Sequence, residues 1–464
     1  MYFSKAGSLF LLSLTLASPA VMADTDSDGD GVIDSIDVDD DNDGLIELHS
    51  LAELNMMRFD PHGNGLRQDA EAERNSTGCA YTDESAGVNE WCMGYELVVD
   101  VDFDTNGNGE IDQGDEFCNY SEERGVCEGW LPVSYGAVFQ TEFNGNGHTI
   151  RNLYIDRPGD TWTGFFYQND IRNISDVVFT GPLTSVTGGV RTGIVTGSVS
   201  DGSVISGVVV EGTVIATGNG STGNAYAGGI AGLIHRATIR DSIVNVDVIS
   251  NSLGDGIGYS GGVIPTSSAY TLIDSVVVTG TVQGDKAGGV AGYLRYFGNI
   301  HNTVSAASVT GATSAGGIAG LVEYSTEIGS SLAVGSVNGT TPETETGGLV
   351  GEFDLSTWSP IELPHNYWAT DTTGQYQLHG SDLSGIDRAQ ILIVSSSYGA
   401  TLNQLECPTH ASAAYCALRT RLYLYWDESL WDFGTSDQLP GLNLAGTVYR
   451  PVQTMDGSFD IVED

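Results

Sequence analysis

Lysine and arginine are scarce in this chain: 17 of them stand against 61 aspartates and glutamates in 464 residues, a formal net charge of −44. A surface so poor in cations argues against nucleic acid and anionic membranes as direct partners, since both are bound through positive charge. Cysteine is missing between Cys127 and Cys407, and no Cys-x-x-Cys spacing occurs, which disfavours a zinc site. There is no His-Glu-x-x-His, so zinc-peptidase chemistry is not indicated. No nucleophile elbow is recognised, because Gly202-Ser203 and Gly329-Ser330 lack the closing glycine and any neighbouring base signal. The eight histidines are scattered, with His235 and His301 read as corresponding positions of two repeats and as loop or corner residues. Beyond the N-terminus no apolar run reaches membrane length. The middle of the chain shows no sustained 3.6-residue period, so a helical array is excluded there.

Glycine, in contrast, is abundant and patterned. Gly-Gly-aliphatic-x-Gly stands at Gly228–Gly232, Gly288–Gly292, Gly316–Gly320 and Gly347–Gly351, with degenerate copies from Thr192, Gly261 and Thr163. The anchoring glycines Gly164, Gly193, Gly229, Gly262, Gly289, Gly317 and Gly348 are spaced by 27 to 36 residues. Each anchor is followed by a period-two run rich in Val, Ile, Thr and Ser, such as Thr238-Ile239-Arg240-Asp241-Ser242-Ile243. Short strands at that repeat length predict one coil of a parallel β-solenoid per repeat, with aliphatic side chains stacked inward. No helix pattern and no lysine accompany the doubled glycines, so they read as corners or close approaches, not as a phosphate loop.

The pattern Gly-Gly-(Ile/Val/Leu)-x-Gly followed by Ile-x-(Asn/Asp)-(Ser/Thr) resembles the GLUG motif of secreted bacterial surface proteins. The lead-in Phe143-Asn144-Gly145-Asn146-Gly147-His148-Thr149-Ile150 resembles the opening coil that precedes such repeats. The resemblance covers roughly residues 130 to 375 and implies an all-β, right-handed parallel β-helix exported from the cell. Relatives of that kind include adhesin-like proteins and non-catalytic portions of immunoglobulin-cleaving zinc peptidases, so the resemblance speaks to architecture more than to activity.

Residues 1–23 read as a secretory signal peptide, with Lys5 in the n-region, Leu9–Leu16 as the apolar core and Val21-Met22-Ala23 at the cleavage site. A secreted or cell-surface location follows, without membrane insertion. In that compartment an even cysteine count favours disulfides, and nearest-neighbour closure predicts Cys79–Cys92, Cys118–Cys127 and Cys407–Cys416.

The strongest chemical signal is acidic. Asp26, Asp28, Asp30, Gly31, Ile33 and Asp34 fit positions 1, 3, 5, 6, 8 and 9 of a wrapped Ca²⁺ loop, and Asp39, Asp41, Asp43, Gly44, Ile46 and Glu47 fit them again. This tandem resembles type 3 thrombospondin repeats, which are calcium-binding linkers. A third loop is offered by Asp104, Asn106, Asn108, Asp112 and Asp115, ending in Asp where a bidentate Glu is commonest. Oxygen ligands on alternate residues around a sharp glycine turn are what Ca²⁺ coordination needs, so calcium is the expected cofactor.

The expected domains are the signal peptide (1–23), a calcium segment (24–47), an N-terminal cap with a short helix, the third loop and two disulfides (48–129), the solenoid (130–375) and a disulfide-stapled C-terminal cap (376–464). Ser50 and Glu53 supply a helix start within the stretch Leu45–Phe59. Asn366-Tyr367-Trp368 reads as an aromatic closure, and Leu422–Trp426 with Trp431–Phe433 as cap core or, secondarily, a sugar-stacking platform. The leading expectation is a non-catalytic, calcium-stabilised scaffold that adheres to an extracellular glycan or surface protein. A polysaccharide lyase is the enzymatic alternative, with Arg236, Arg240, Lys286 and Arg295 available and none assigned a role; a self-assembling matrix protein is the third.

Overall fold

The structure, a computed structural model, describes residues 25–79, 81–83, 87–89, 91–170, 172–323, 325–356, 360–382, 393–406, 423, 426–435 and 437–464. The signal-peptide reading, the Cys407–Cys416 pair and Leu422, Leu424 and Tyr425 lie outside the described residues.

The chain winds into a parallel β-solenoid. One column of side chains shows why: Ile46, Tyr95, Phe143, Ile174, Ile205, Ile239, Ile273, Ile300 and Ile328 are paired in register from coil to coil, and each is fully buried. A second buried column runs Val101, Ile150, Phe179, Val210, Val244 and Val278. Beta-branched and aromatic side chains suit a pleated surface, and stacking like on like lets every coil bury the apolar face of the one before.

Two residues beyond the isoleucine column the chain must bend. Asp176, Gly207, Asp241, Ser275, Asn302, Ser330 and His365 all take positive φ, between 48° and 67°. That left-handed corner explains the Asn/Asp preference in the repeat, since those side chains tolerate the conformation better than most. The doubled glycines serve a different need. Gly228, Gly261, Gly288, Gly316 and Gly347 stack in register, and none has positive φ. A Cβ on the next glycine would fall 2.2 Å from a carbonyl oxygen of the following coil, that of Gly262 for Gly229 and that of Gly289 for Gly262. They are close-approach residues.

The parallel ladder extends past both ends of the 130–375 repeat. Strand β1 (Leu45–Leu48) pairs in parallel with β2 (Gly94–Leu97), which pairs with β3 (Glu142–Asn144). The expected short helix is present: α1 spans Leu51–Met56 and starts after Ser50, as the sequence indicates, while the preceding Leu45–Leu48 belongs to the sheet. Ser50 caps it, accepting the Glu53 amide at 3.2 Å. The first two coils are long because each carries an excursion closed by a disulfide, Cys79–Cys92 in the first and Cys118–Cys127 in the second. At the other end Tyr398–Ala400 pairs with Tyr367–Ala369, so Asn366-Tyr367-Trp368 does not end the sheet. Trp368 instead fills the interior where Gly348 has no side chain.

The C-terminal residues cover a flank. Trp431–Asp432, Gly441–Leu444, Thr447–Gln453 and Phe459–Glu463 form an antiparallel sheet. It packs on an outward apolar column of the solenoid, Val209, Ile243, Val277, Val304, Leu332 and Tyr367. Adjacent pairs such as Ile243-Val244 have one side chain inside and one outside, and the outer one needs this cover. Tyr423, Trp426 and Trp431 are buried in that second core, which removes them as a sugar platform.

Candidate functional site

All three acidic loops share one backbone design. Position 6 is left-handed glycine in each, Gly31, Gly44 and Gly109, with φ of 99°, 92° and 83°. Position 4 is left-handed as well, at Gly29, Asn42 and Gly107. The position 5 side chain accepts the amide of position 7 each time: Asp30 from Val32 at 2.6 Å, Asp43 from Leu45 at 2.8 Å and Asn108 from Glu110 at 2.8 Å. The position 3 side chain accepts the amide of position 5: Asp28 at 3.0 Å, Asp41 at 3.1 Å and Asn106 at 3.0 Å. These turns wrap each segment around its own carboxylates, the arrangement a hard, oxygen-seeking cation requires.

In the first loop Asp26, Asp28 and Asp30 bring carboxylate oxygens within 4.8 Å of one another. Asp34 accepts Thr25 Oγ1 at 2.5 Å and the Ser27 amide and hydroxyl at 2.9 Å, and the Thr25 bond leads in holding its carboxyl below the usual range. In the third loop Asp104 accepts the Asn108 and Gly109 amides, and Asp112 accepts the side chains of Asn106 and Asn108. Asp115 is buried and receives the amides of Asn106 and Asp112. Asp112 is held low, first by the Gly114 amide.

The second loop differs in being built into the solenoid. Asp39 is fully buried and accepts the amides of Asp43 and Gly44. Asp39, Asp41 and Asp43 converge within 4.8 Å, and Asp41 also converges with Glu47 and Glu96 within the same limit. Glu47 sits on β1 directly opposite Glu96 on β2. Burial pushes the Glu47 carboxyl up to about 8, aided by the charges of Asp40 and Glu96. Burial lifts Glu96 to about 7, helped by Asp43, Asp41 and Asp39, and lifts Asp39 to about 6, helped by Asp43 and Asp41. Two desolvated carboxylates facing each other cost free energy unless a proton or a cation joins them.

Glu96 is absent from the ligand set expected from sequence. The signal lay in the recurrence of Glu-Leu at Glu47-Leu48 and Glu96-Leu97, which becomes meaningful only once β1 and β2 are paired.

Among the described residues the scattered cations and histidines do not form one constellation. Arg240 pairs with Asp241 and Lys286 with Glu352, while Arg295 lies over the rings of Tyr293 and Tyr296. Arg236 occupies a left-handed turn. His235 and His301 are not equivalent: His235 pairs with Ser200, whereas His301 pairs with Asp274 and so stands in the Arg240 column. The solenoid does bring His301, Glu327 and His365 to one shallow cleft, with His301 Nε2 3.4 Å from Glu327. The spacing Gly-x-Ser-x-Gly does occur, at Gly258-Tyr259-Ser260-Gly261-Gly262. Ser260 is fully buried in a parallel strand, donates to Gln283 O at 2.5 Å and meets Ser250 Oγ at 2.7 Å, so it is no exposed nucleophile. Among the described residues no helix is long and apolar enough to cross a membrane.

No family model matches the chain, and no curated protein matches it. Among solved structures it is similar to the crystal structure of "a putative immunoglobulin A1 protease from Bacteroides ovatus", at 18% identity and a TM-score of 0.35, covering 76% of this chain and 86% of that one.

Proposed function

We propose that this protein is a calcium-stabilised β-solenoid scaffold, exported to the cell surface or its surroundings, that binds an extracellular glycan or a surface protein and carries no reaction of its own. The observation that carries the reading is the shared design of the three acidic loops, repeated down to positions 4 and 6 of the backbone and the amides each side chain accepts. Ca²⁺ would take oxygens from Asp26, Asp28, Asp30 and Asp34 in the first loop, from Asp39, Asp41, Asp43 and Glu47 in the second, and from Asp104, Asn106, Asn108, Asp112 and Asp115 in the third. The two disulfides support an oxidising compartment. The glycine repeat supports kinship with GLUG-type surface proteins, and the tandem acidic loops with type 3 thrombospondin repeats.

The placement of the polar chemistry supports the scaffold reading. The coils are filled with aliphatic columns, and three of the four cations considered for a lyase are engaged: Arg240 with Asp241, Lys286 with Glu352 and Arg295 with aromatic rings. Isothermal titration of the mature protein with CaCl₂ tests the cofactor, and a glycan and surface-protein binding screen with and without CaCl₂ tests the role. Absence of calcium binding would remove the first, and turnover of a polysaccharide would remove the second.

A further inference from the structure

The second acidic loop lacks its twelfth-position ligand. Counting from Asp39, that position is Ser50, whose hydroxyl is engaged as the N-cap of α1. The equivalent residue of the first loop is Asp37 and that of the third is Asp115, so both of those carry a carboxylate there. In the second loop a carboxylate arrives from the next coil. Glu96 stands opposite Glu47 in the β1–β2 register, and its oxygen lies within 4.8 Å of ligand oxygens on both Asp41 and Glu47. Glu47 is 6% exposed and Glu96 3%.

The hydrogen bonds leave room for a cation. Glu47 Oε1 accepts the Asp40 amide at 2.6 Å, but the buried Glu47 Oε2 has no hydrogen-bond partner. Glu96 Oε2 accepts Asn146 Nδ2 at 2.6 Å, a neutral donor that orients the carboxylate without neutralising it. The arginines described in the N-terminal coil are engaged elsewhere: Arg67 and Arg74 are paired with Asp60, and Arg58 donates to the Leu131 and Pro132 carbonyls. A buried, unpartnered carboxylate oxygen beside two further carboxylates offers a cation a ligand whose desolvation is already met.

We propose that Glu96 completes a Ca²⁺ site with Asp41 and Glu47, so that one ion is held across two successive coils of the solenoid. The inference rests on the calcium reading above and adds to it a ligand and a consequence. A conventional wrapped loop stiffens only itself, whereas a ligand supplied by β2 makes ion binding and the docking of the first coil onto the second a single event.

Isothermal titration with CaCl₂ and thermal unfolding in CaCl₂ or EDTA, on the mature protein and its Glu96→Gln and Asp28→Asn variants, provide the test. In Glu96→Gln one site should weaken about tenfold or more, because a charged ligand is lost. In EDTA at about pH 9, where both carboxyls of the parent are ionised, the same variant should melt higher than the parent, because a buried repulsion with Glu47 is gone. A residue that merely filled space would not move those two readings in opposite directions. Asp28→Asn should weaken a different site and leave the Glu96-dependent site titrating as in the parent. A crystal structure of the calcium-loaded parent supplies a reading that needs no variant: a Glu96 oxygen should lie about 2.3–2.6 Å from the ion. If the parent binds calcium but Glu96→Gln titrates identically, or the ion sits away from Glu96, the trans-coil ligand is wrong and the calcium reading stands. If the parent binds no calcium, both fall.

Discussion

Glu47 and Glu96 face one another on adjacent parallel strands, buried, with no lysine or arginine between them. Like charges directly opposed in a sheet are ordinarily destabilising. Here the pair lies where the acidic N-terminal segment becomes the first coil of the solenoid. The acidic segment is thus part of the fold's first rung, and an ion bound there should be felt along the coils behind it.

The doubled glycines give the sharpest steric prediction. A Cβ at Gly262 would lie 2.2 Å from Gly289 O and 2.4 Å from Val278 Cγ1, and neither atom can yield without moving a coil. Gly262→Ala should destabilise by about 2 kcal/mol or more. At Gly202, with φ of 93° and open space around it, alanine should cost only the backbone strain, about 1–2 kcal/mol. Denaturant midpoints of the two variants check the order; equal midpoints would count against close approach as the role of the doubled glycines.

The isoleucine column should behave as one continuous core. Ile239 is fully buried between Ile205 and Ile273, so Ile239→Ala leaves a cavity inside the stack and should cost about 2–5 kcal/mol. Hydrogen exchange should show the loss spreading to the coils on either side, since each rung is supported only by its neighbours.

His379 predicts a pH dependence. Its half-buried ring packs edge-on against Phe353, and desolvation holds its pKa below the ordinary 6.5, against the pull of a hydrogen bond to the Ser381 backbone and of the Glu345 charge. A depressed folded-state pKa means the unfolded chain binds the proton more readily. This contribution to stability is therefore present above pH 6.5 and lost as the pH falls through the folded-state value. Melting curves from pH 7.5 to about 5 should fall less steeply for His379→Gln than for the parent. Parallel curves would remove His379 as the cause.

The flank sheet should be separable from the coils. Ile243 lies in the outward column beneath it, and Arg450 ties that sheet together through Asp432 and Asp464. Ile243→Asp places a charge in that buried seam and should expose the residues after 426 to protease before the solenoid itself unfolds. Simultaneous cleavage throughout would mean the two cores are inseparable.

Much of this was legible in the sequence, and the reason is periodicity. A coil repeats its needs every 27 to 36 residues, so Gly229, Gly262 and Gly289 announce themselves by recurrence. The acidic loops were legible for a similar reason, because their carboxylates and glycine turns are local. What escaped was whatever depends on pairing between distant segments. Nothing local marks Leu45–Leu48 as a strand until it is set beside its partner Gly94–Leu97, and the long excursions of the first two coils hid the register. Glu96 was missed on the same account. Likewise the column from Val209 to Tyr367 points outward at every coil, yet only the placement of the C-terminal sheet shows what it is for.

Calcium binding by the mature protein is the central claim, and isothermal titration followed by thermal unfolding tests it most directly. The account predicts up to three bound ions, with melting raised in CaCl₂ over EDTA by an amount that grows with free calcium, about 2.7 kcal/mol at a hundredfold excess over Kd for one site. No heat of binding, together with identical melting in CaCl₂ and EDTA, would contradict it.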